Sequence, residues 1–215
     1  MSQALALRLV DATRLVPASA PRFALDELCG RAVEIVAKAA SAPLTQALAL
    51  VREAQLAGEP AAWVTLQQQA FFAPDAAAGG VDLRALPVVR VRSAQQAGRA
   101  ADKLLRSGAF GLVVVDLAGV GGGDGEASGS ASRERLRLDT PLLARLTGLA
   151  RAHHSALLFV TAAGPGLGSL IALRAESLRW SGEHGPVAEL RVTKDRRHGP
   201  GWQHRLPCLA PPGLR

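Results

Sequence analysis

From Phe23 onward, short apolar runs alternate with stretches in which apolar residues recur every three or four positions. The runs are Ala32–Val36, Ala61–Leu66, Val88–Val91, Leu112–Leu117 and Leu157–Thr161, and the helical stretches are Leu44–Gln55, Ser93–Arg106 and Thr140–His153. Such alternation predicts an α/β domain with a mostly parallel central sheet flanked by helices. After Thr161 the pattern changes. Leu170–Trp180, Val187–Lys194 and Trp202–Leu206 read as antiparallel strands joined by Gly-Glu-His-Gly and Arg-His-Gly-Pro-Gly turns.

End signals support two of the helices. Ser93 is placed to cap the amides that open the first, Gln96 stands three residues later as in a capping box, and Gly108 follows the last turn. Thr140 and Pro141 form an N-cap and first-position pair before Leu142, Leu143, Leu146 and Leu149, whose spacing marks a buried face. Residues 1–22 end in a Pro17–Pro21 stretch and read as an arm and linker, residues 23–207 as the core domain, and 208–215 as a tail. Two Gly-rich segments, Gly119–Ser132 and Ala162–Gly168, read as loops after strands.

The chain has 215 residues, of which 48% are hydrophobic, enough for one domain with a substantial core and too apolar for a disordered chain. Its apolar runs are far shorter than the roughly 20 residues of a membrane-spanning helix. Cys29 and Cys208 match no metal-ligand spacing, which points to a reducing, cytoplasmic setting. The formal charge is +7, which permits contact with nucleic acid, but only three of the 25 basic residues are lysines, as a GC-rich genome would produce. His153-His154 ends a predicted helix, where adjacent side chains project about 100° apart, so interaction with the helix C-terminus fits better than metal binding.

The order of segments between Gly30 and Asp116 resembles the RecA family. Its first strand is matched by Gly30-Arg31-Ala32-Val33-Glu34-Ile35-Val36, its second by Ala62-Trp63-Val64-Thr65-Leu66-Gln67, and its aspartate-ending strand by Leu112-Val113-Val114-Val115-Asp116. Late in the chain, Val192-Thr193-Lys194-Asp195-Arg196 is similar to the family's Val-x-Lys-Asn-Lys strand. Where the family carries its phosphate loop, this chain reads Ala37-Lys38-Ala39-Ala40-Ser41-Ala42-Pro43-Leu44-Thr45. Ala37 and Ala42 stand at the glycine positions, Pro43 at the lysine and Leu44 at the hydroxyl. Gln67 stands where the family has its water-activating glutamate, and Asp116 where it has the aspartate that supports magnesium.

These departures imply a RecA-like domain without catalysis, cofactor or metal, in which Ala37, Ala42, Pro43, Leu44, Gln67 and Asp116 are vestiges of a nucleotide site. The combination resembles ImuA, the RecA-like accessory protein of SOS-induced mutagenic translesion synthesis. That resemblance implies contacts with RecA, an ImuB-like Y-family polymerase homologue and an error-prone C-family polymerase. A SulA-like division inhibitor and an ATPase with a non-standard loop are the alternatives. In RecA-like proteins the two loops grip DNA, yet here the first holds Asp124 and Glu126 and the second no charge, so at most weak DNA binding is expected. Arg191, Lys194, Arg196 and Arg197 form the basic set that remains for a partner or DNA contact; the matching lysines of RecA lie at its ATP-mediated subunit interface.

Overall fold

A computed structural model describes residues 20–38, 41–67, 71–118, 138–183 and 185–208. The apolar runs become strands β1 (Ala32–Ala37), β2 (Ala61–Leu66), β3 (Val88–Val91), β4 (Leu112–Leu117) and β5 (Ala156–Ala162). The late segments become β6 (Leu173–Gly182), β7 (Gly185–Asp195) and β8 (Gln203–Pro207). Helices are α1 (Leu25–Leu28), α2 (Pro43–Leu56), α3 (Ala73–Ala78), α4 (Ala94–Arg106) and α5 (Thr140–Ala152), with a 3-10 turn at Leu83–Ala85. All eight strands join one sheet in the order β3-β2-β4-β5-β1-β6-β7-β8. Strands β1 to β5 pair in parallel and β6 runs parallel to β1, whereas β7 and β8 are antiparallel additions. The expected α/β architecture, mostly parallel with late antiparallel strands, is the one observed.

The helix ends show which sequence signals operate. Ser93 caps α4, its Oγ accepting the Gln96 N–H at 3.3 Å. The Gln96 side chain reaches back to the Arg92 N–H at 2.8 Å, one residue before the position a capping box closes on. Gly108, at φ +66°, takes the left-handed turn that ends the helix. For α5 the expected cap is displaced by one residue: Asp139 occupies the N-cap without a side-chain bond, and Thr140 is the first helical residue. Periodicity does not announce α1, a single turn, or α3, which is only six residues long.

Both faces of the parallel sheet are covered, which is why β2 and β4 are buried at every position. One face packs Ile35, Trp63, Val114 and Val160 beneath α1 and α2. The other packs Val64, Val113, Val115, Leu157 and Phe159 beneath α4 and α5. The two helices of this second layer touch at Gly98, where an added Cβ would lie 2.6 Å from Leu142 and 2.8 Å from Leu138. They cover β1 to β5, and beyond β1 the residues of β6 on this side, Arg174, Glu176 and Leu178, stay half-exposed. Among the described residues no helix is long and apolar enough to cross a membrane.

Candidate functional site

The carboxyl ends of parallel strands are where α/β sheets place their ligands, and the positions that the resemblance matches to a nucleotide site lie there. Ala37 is the last residue of β1. The Ser41 N–H donates to the Lys38 carbonyl at 3.2 Å, and Ala42 takes the N-cap of α2 at φ −126°, ψ 59°, with no side-chain cap. Pro43 opens the helix and is buried, its ring carrying neither an N–H nor a charge. Leu44 turns an apolar side chain outward, 37% exposed. Lys38 reaches Glu176 of β6 at 3.1 Å.

Register places Asp116 of β4 between Thr65 of β2 and Val160 of β5, on the sheet face that α2 covers. Its Oδ1 accepts the Ala118 N–H at 3.2 Å, and Thr65 adds a side-chain hydrogen bond. Burial outweighs both bonds and pushes the carboxyl up to about 6. Gln67 follows β2 directly, exposed, its N–H donating to the Val91 carbonyl at 2.7 Å. The ends of β1, β2 and β4 thus bring together a proline, an amide and a carboxyl that burial raises to about 6.

A second constellation lies across the sheet. Glu34, in the middle of β1, is fully buried and accepts the Thr161 hydroxyl at 2.8 Å and the Leu167 N–H at 3.2 Å. Arg174 of β6 approaches it at 3.4 Å and donates to the Gly164 carbonyl at 2.9 Å. Gly166 threads between them at φ +78°, where a Cβ would lie 2.9 Å from the Arg174 guanidinium and from Glu34 Oε2. The loop of the second Gly-rich segment is therefore anchored from beneath. Sequence reasoning singled out this loop but missed its anchor; the signal was an ionisable residue inside an apolar strand.

The four basic residues do not share one setting. Lys194 donates to the Ser169 carbonyl at 3.1 Å, and Arg196 donates to the same carbonyl, so both clasp the far end of the anchored loop. Burial, helped by the neighbouring Arg196, lowers the Lys194 ammonium from its usual range. Arg197 pairs with Glu27 of α1 at 2.8 Å, and His198 stands 3.4 Å from the same carboxylate. The His198 hydrogen bond and then the Arg197 contacts outweigh burial and hold Glu27 below the usual carboxylate range. Arg191 lies on the open face of β7 and pairs with Glu189 at 3.4 Å. The other predicted loop, Gly119–Ser132, lies outside the described residues. His153 caps the C-terminus of α5, and His154 follows at φ 53°.

Comparison with known proteins places this arrangement. The family model described as the RecA N-terminal domain matches residues 27–171. Protein RecA of Corynebacterium jeikeium is 38% identical over 123 residues, covering 55% of this chain and 32% of that protein. Protein RecA of Chloroherpeton thalassium is 33% identical over 135 residues, covering 61% of this chain and 38% of its own length. That of Rubrobacter xylanophilus is 42% identical over 87 residues. The chain thus matches less than two fifths of the length of these relatives.

Proposed function

Because the chain belongs to the RecA N-terminal domain family, we propose that it is a non-catalytic RecA-like accessory protein of SOS-induced mutagenic translesion synthesis, similar to ImuA. It works in the cytoplasm through contacts with RecA and an ImuB-like polymerase homologue, with the error-prone C-family polymerase as a further partner. The observation that carries this reading is the buried Pro43 at the start of α2, where a phosphate site needs a lysine and an N–H. A charge-assisted hydrogen bond to phosphate is worth about 1.5–3 kcal/mol, so a site without two or three of them binds nucleotide several orders of magnitude more weakly.

Two further features support it. Gln67 cannot take a proton from water at neutral pH. Lys194 and Arg196, which align with lysines of the RecA subunit interface, are turned inward onto the Ser169 carbonyl. The loop they clasp has no cationic side chain of its own with which to grip DNA.

The test has two arms. Calorimetric titration with ATP and Mg²⁺ is expected to give no binding, and a Kd tighter than about 1 µM overturns the non-catalytic reading. Addition of the chain to RecA filaments on single-stranded DNA is expected to change RecA ATPase rate or filament length. No change overturns the accessory role, and co-sedimentation with the tubulin-like division protein instead assigns the chain to the SulA-like alternative.

A further inference from the structure

The open face of β6, β7 and β8 holds a carboxylate that is buried although, among the described residues, no element covers it from above: the Glu189 side chain is 5% exposed. Two arginines enclose it, Arg205 Nε at 2.9 Å and Arg191 at 3.4 Å. Their own side chains remain 57% and 54% exposed. Arg205 is fixed twice more, donating to Gln203 Oε1 at 3.0 Å and lying with its guanidinium 5.6 Å from the centroid of the Trp180 ring. Cross-strand register seats Leu178 beside Glu189 and Val187 beside Trp180. Trp180 is 42% exposed, a large apolar surface held open to solvent.

We infer that this face docks a segment of a protein partner that carries a carboxylate next to an apolar side chain; the inference rests on the reading that the chain acts through protein contacts. The sunken Glu189 leaves the arginines positive toward an incoming ligand while fixing their positions, so little rotamer freedom is lost on binding. Tryptophan and arginine are the side chains over-represented where protein interfaces concentrate their energy. Leu178 and Val187 extend the Trp180 surface into a strip that takes an apolar anchor, and the outward N–H of Arg205 takes its neighbouring carboxylate. Nucleic acid fits less well. The two guanidiniums share one carboxylate, leaving a net charge of one, and Trp180 is flanked by aliphatic side chains in place of a stacking series.

The experiment selects 12-residue peptides from a random displayed library on the full chain, then titrates labelled synthetic winners by fluorescence polarisation. Selected peptides are expected to pair Asp or Glu with Leu, Phe or Trp. Their affinity is expected to fall roughly tenfold to thirtyfold in Trp180→Ala and in Arg205→Ala and to stay unchanged in Arg99→Ala. Thermal melting reports whether the variants fold, and Arg205→Lys, which keeps the charge but not the planar fork, is the second variant, with an intermediate decrease expected. Four results overturn the inference: no peptide selected, no acidic bias, equal binding by Trp180→Ala, or self-association of the parent chain abolished by Trp180→Ala. Binding of labelled oligo-dT that depends on Arg205 when no peptide binds reassigns the face to nucleic acid. RecA is absent throughout, so peptide binding without any effect on RecA filaments refutes the accessory role alone.

Discussion

The Asp116→Asn substitution tests whether burial at the end of β4 sets the character of the candidate site. In the folded chain the Asp116 carboxyl is raised from 3.8 to about 6. The native state therefore holds a proton that the unfolded chain releases between those values. Stability from this group is full below about pH 3.8, declines as the pH rises through about 6, and is absent above. The displacement corresponds to about 3 kcal/mol at neutral pH relative to the protonated state. Asparagine keeps an acceptor for the Ala118 N–H and removes the charge that burial penalises. Urea denaturation from pH 4 to 8 is the assay, with the slope against denaturant checked for constancy. The parent is expected to lose about 2 kcal/mol more than Asp116→Asn between pH 4.5 and 7.5. Identical pH profiles for the two proteins refute the reasoning.

Replacing Glu34 by Ala strands Arg174 and the Leu167 N–H, with an expected destabilisation of about 3 kcal/mol and faster amide exchange across residues 164–169. Glu34→Gln, which keeps an acceptor for Thr161, is expected to cost less. Gly98→Ala drives a methyl into Leu142 and Leu138 and is expected to cost about 1–3 kcal/mol, read as a lowered melting temperature. Asp195 is raised by burial, but the Arg197 N–H, Arg31 and Trp202 outweigh that and hold its carboxyl below 3.8. Its contribution to stability is thus present above that pH and lost as the pH falls further, and Asp195→Ala is expected to flatten the acid limb of the stability profile and shift Trp202 emission.

Legibility of the sequence varied with how local the determinant is. Strands β2 and β4 appear with the bounds of their apolar runs, because continuous burial writes continuous apolarity. Ser93 and Gly108 mark the ends of α4 for equally local reasons. What escaped reading depends on partners far apart in the chain. Glu34 is held by residues more than a hundred positions away, so its place between Val33 and Ile35 marks it as unusual without saying what it anchors. A register shift between Arg174 and Ala175 sets Lys194 opposite Arg174, and with it decides which basic residues face the loop and which face solvent. Spacing in a strand reports the side of the sheet only where the ladder is regular.

The central place of β1 has a consequence for synthesis. Its two neighbours are β5, with Ala32 opposite Leu157, and β6, with Val33 opposite Leu173. At ribosomal speeds of about 5–20 residues per second, the strand made first waits on the order of ten seconds for its flanking partners to be synthesised. During that interval its backbone donors and acceptors are available to any extended segment nearby. The β6–β7 hairpin closes between neighbours in sequence and forms early once made, so docking of β5 and β6 against β1 is the late, high-contact-order step. A chain that lacks the late strands leaves β1 with an open edge, and truncation before Leu173 is a route to aggregation more than to a smaller stable domain.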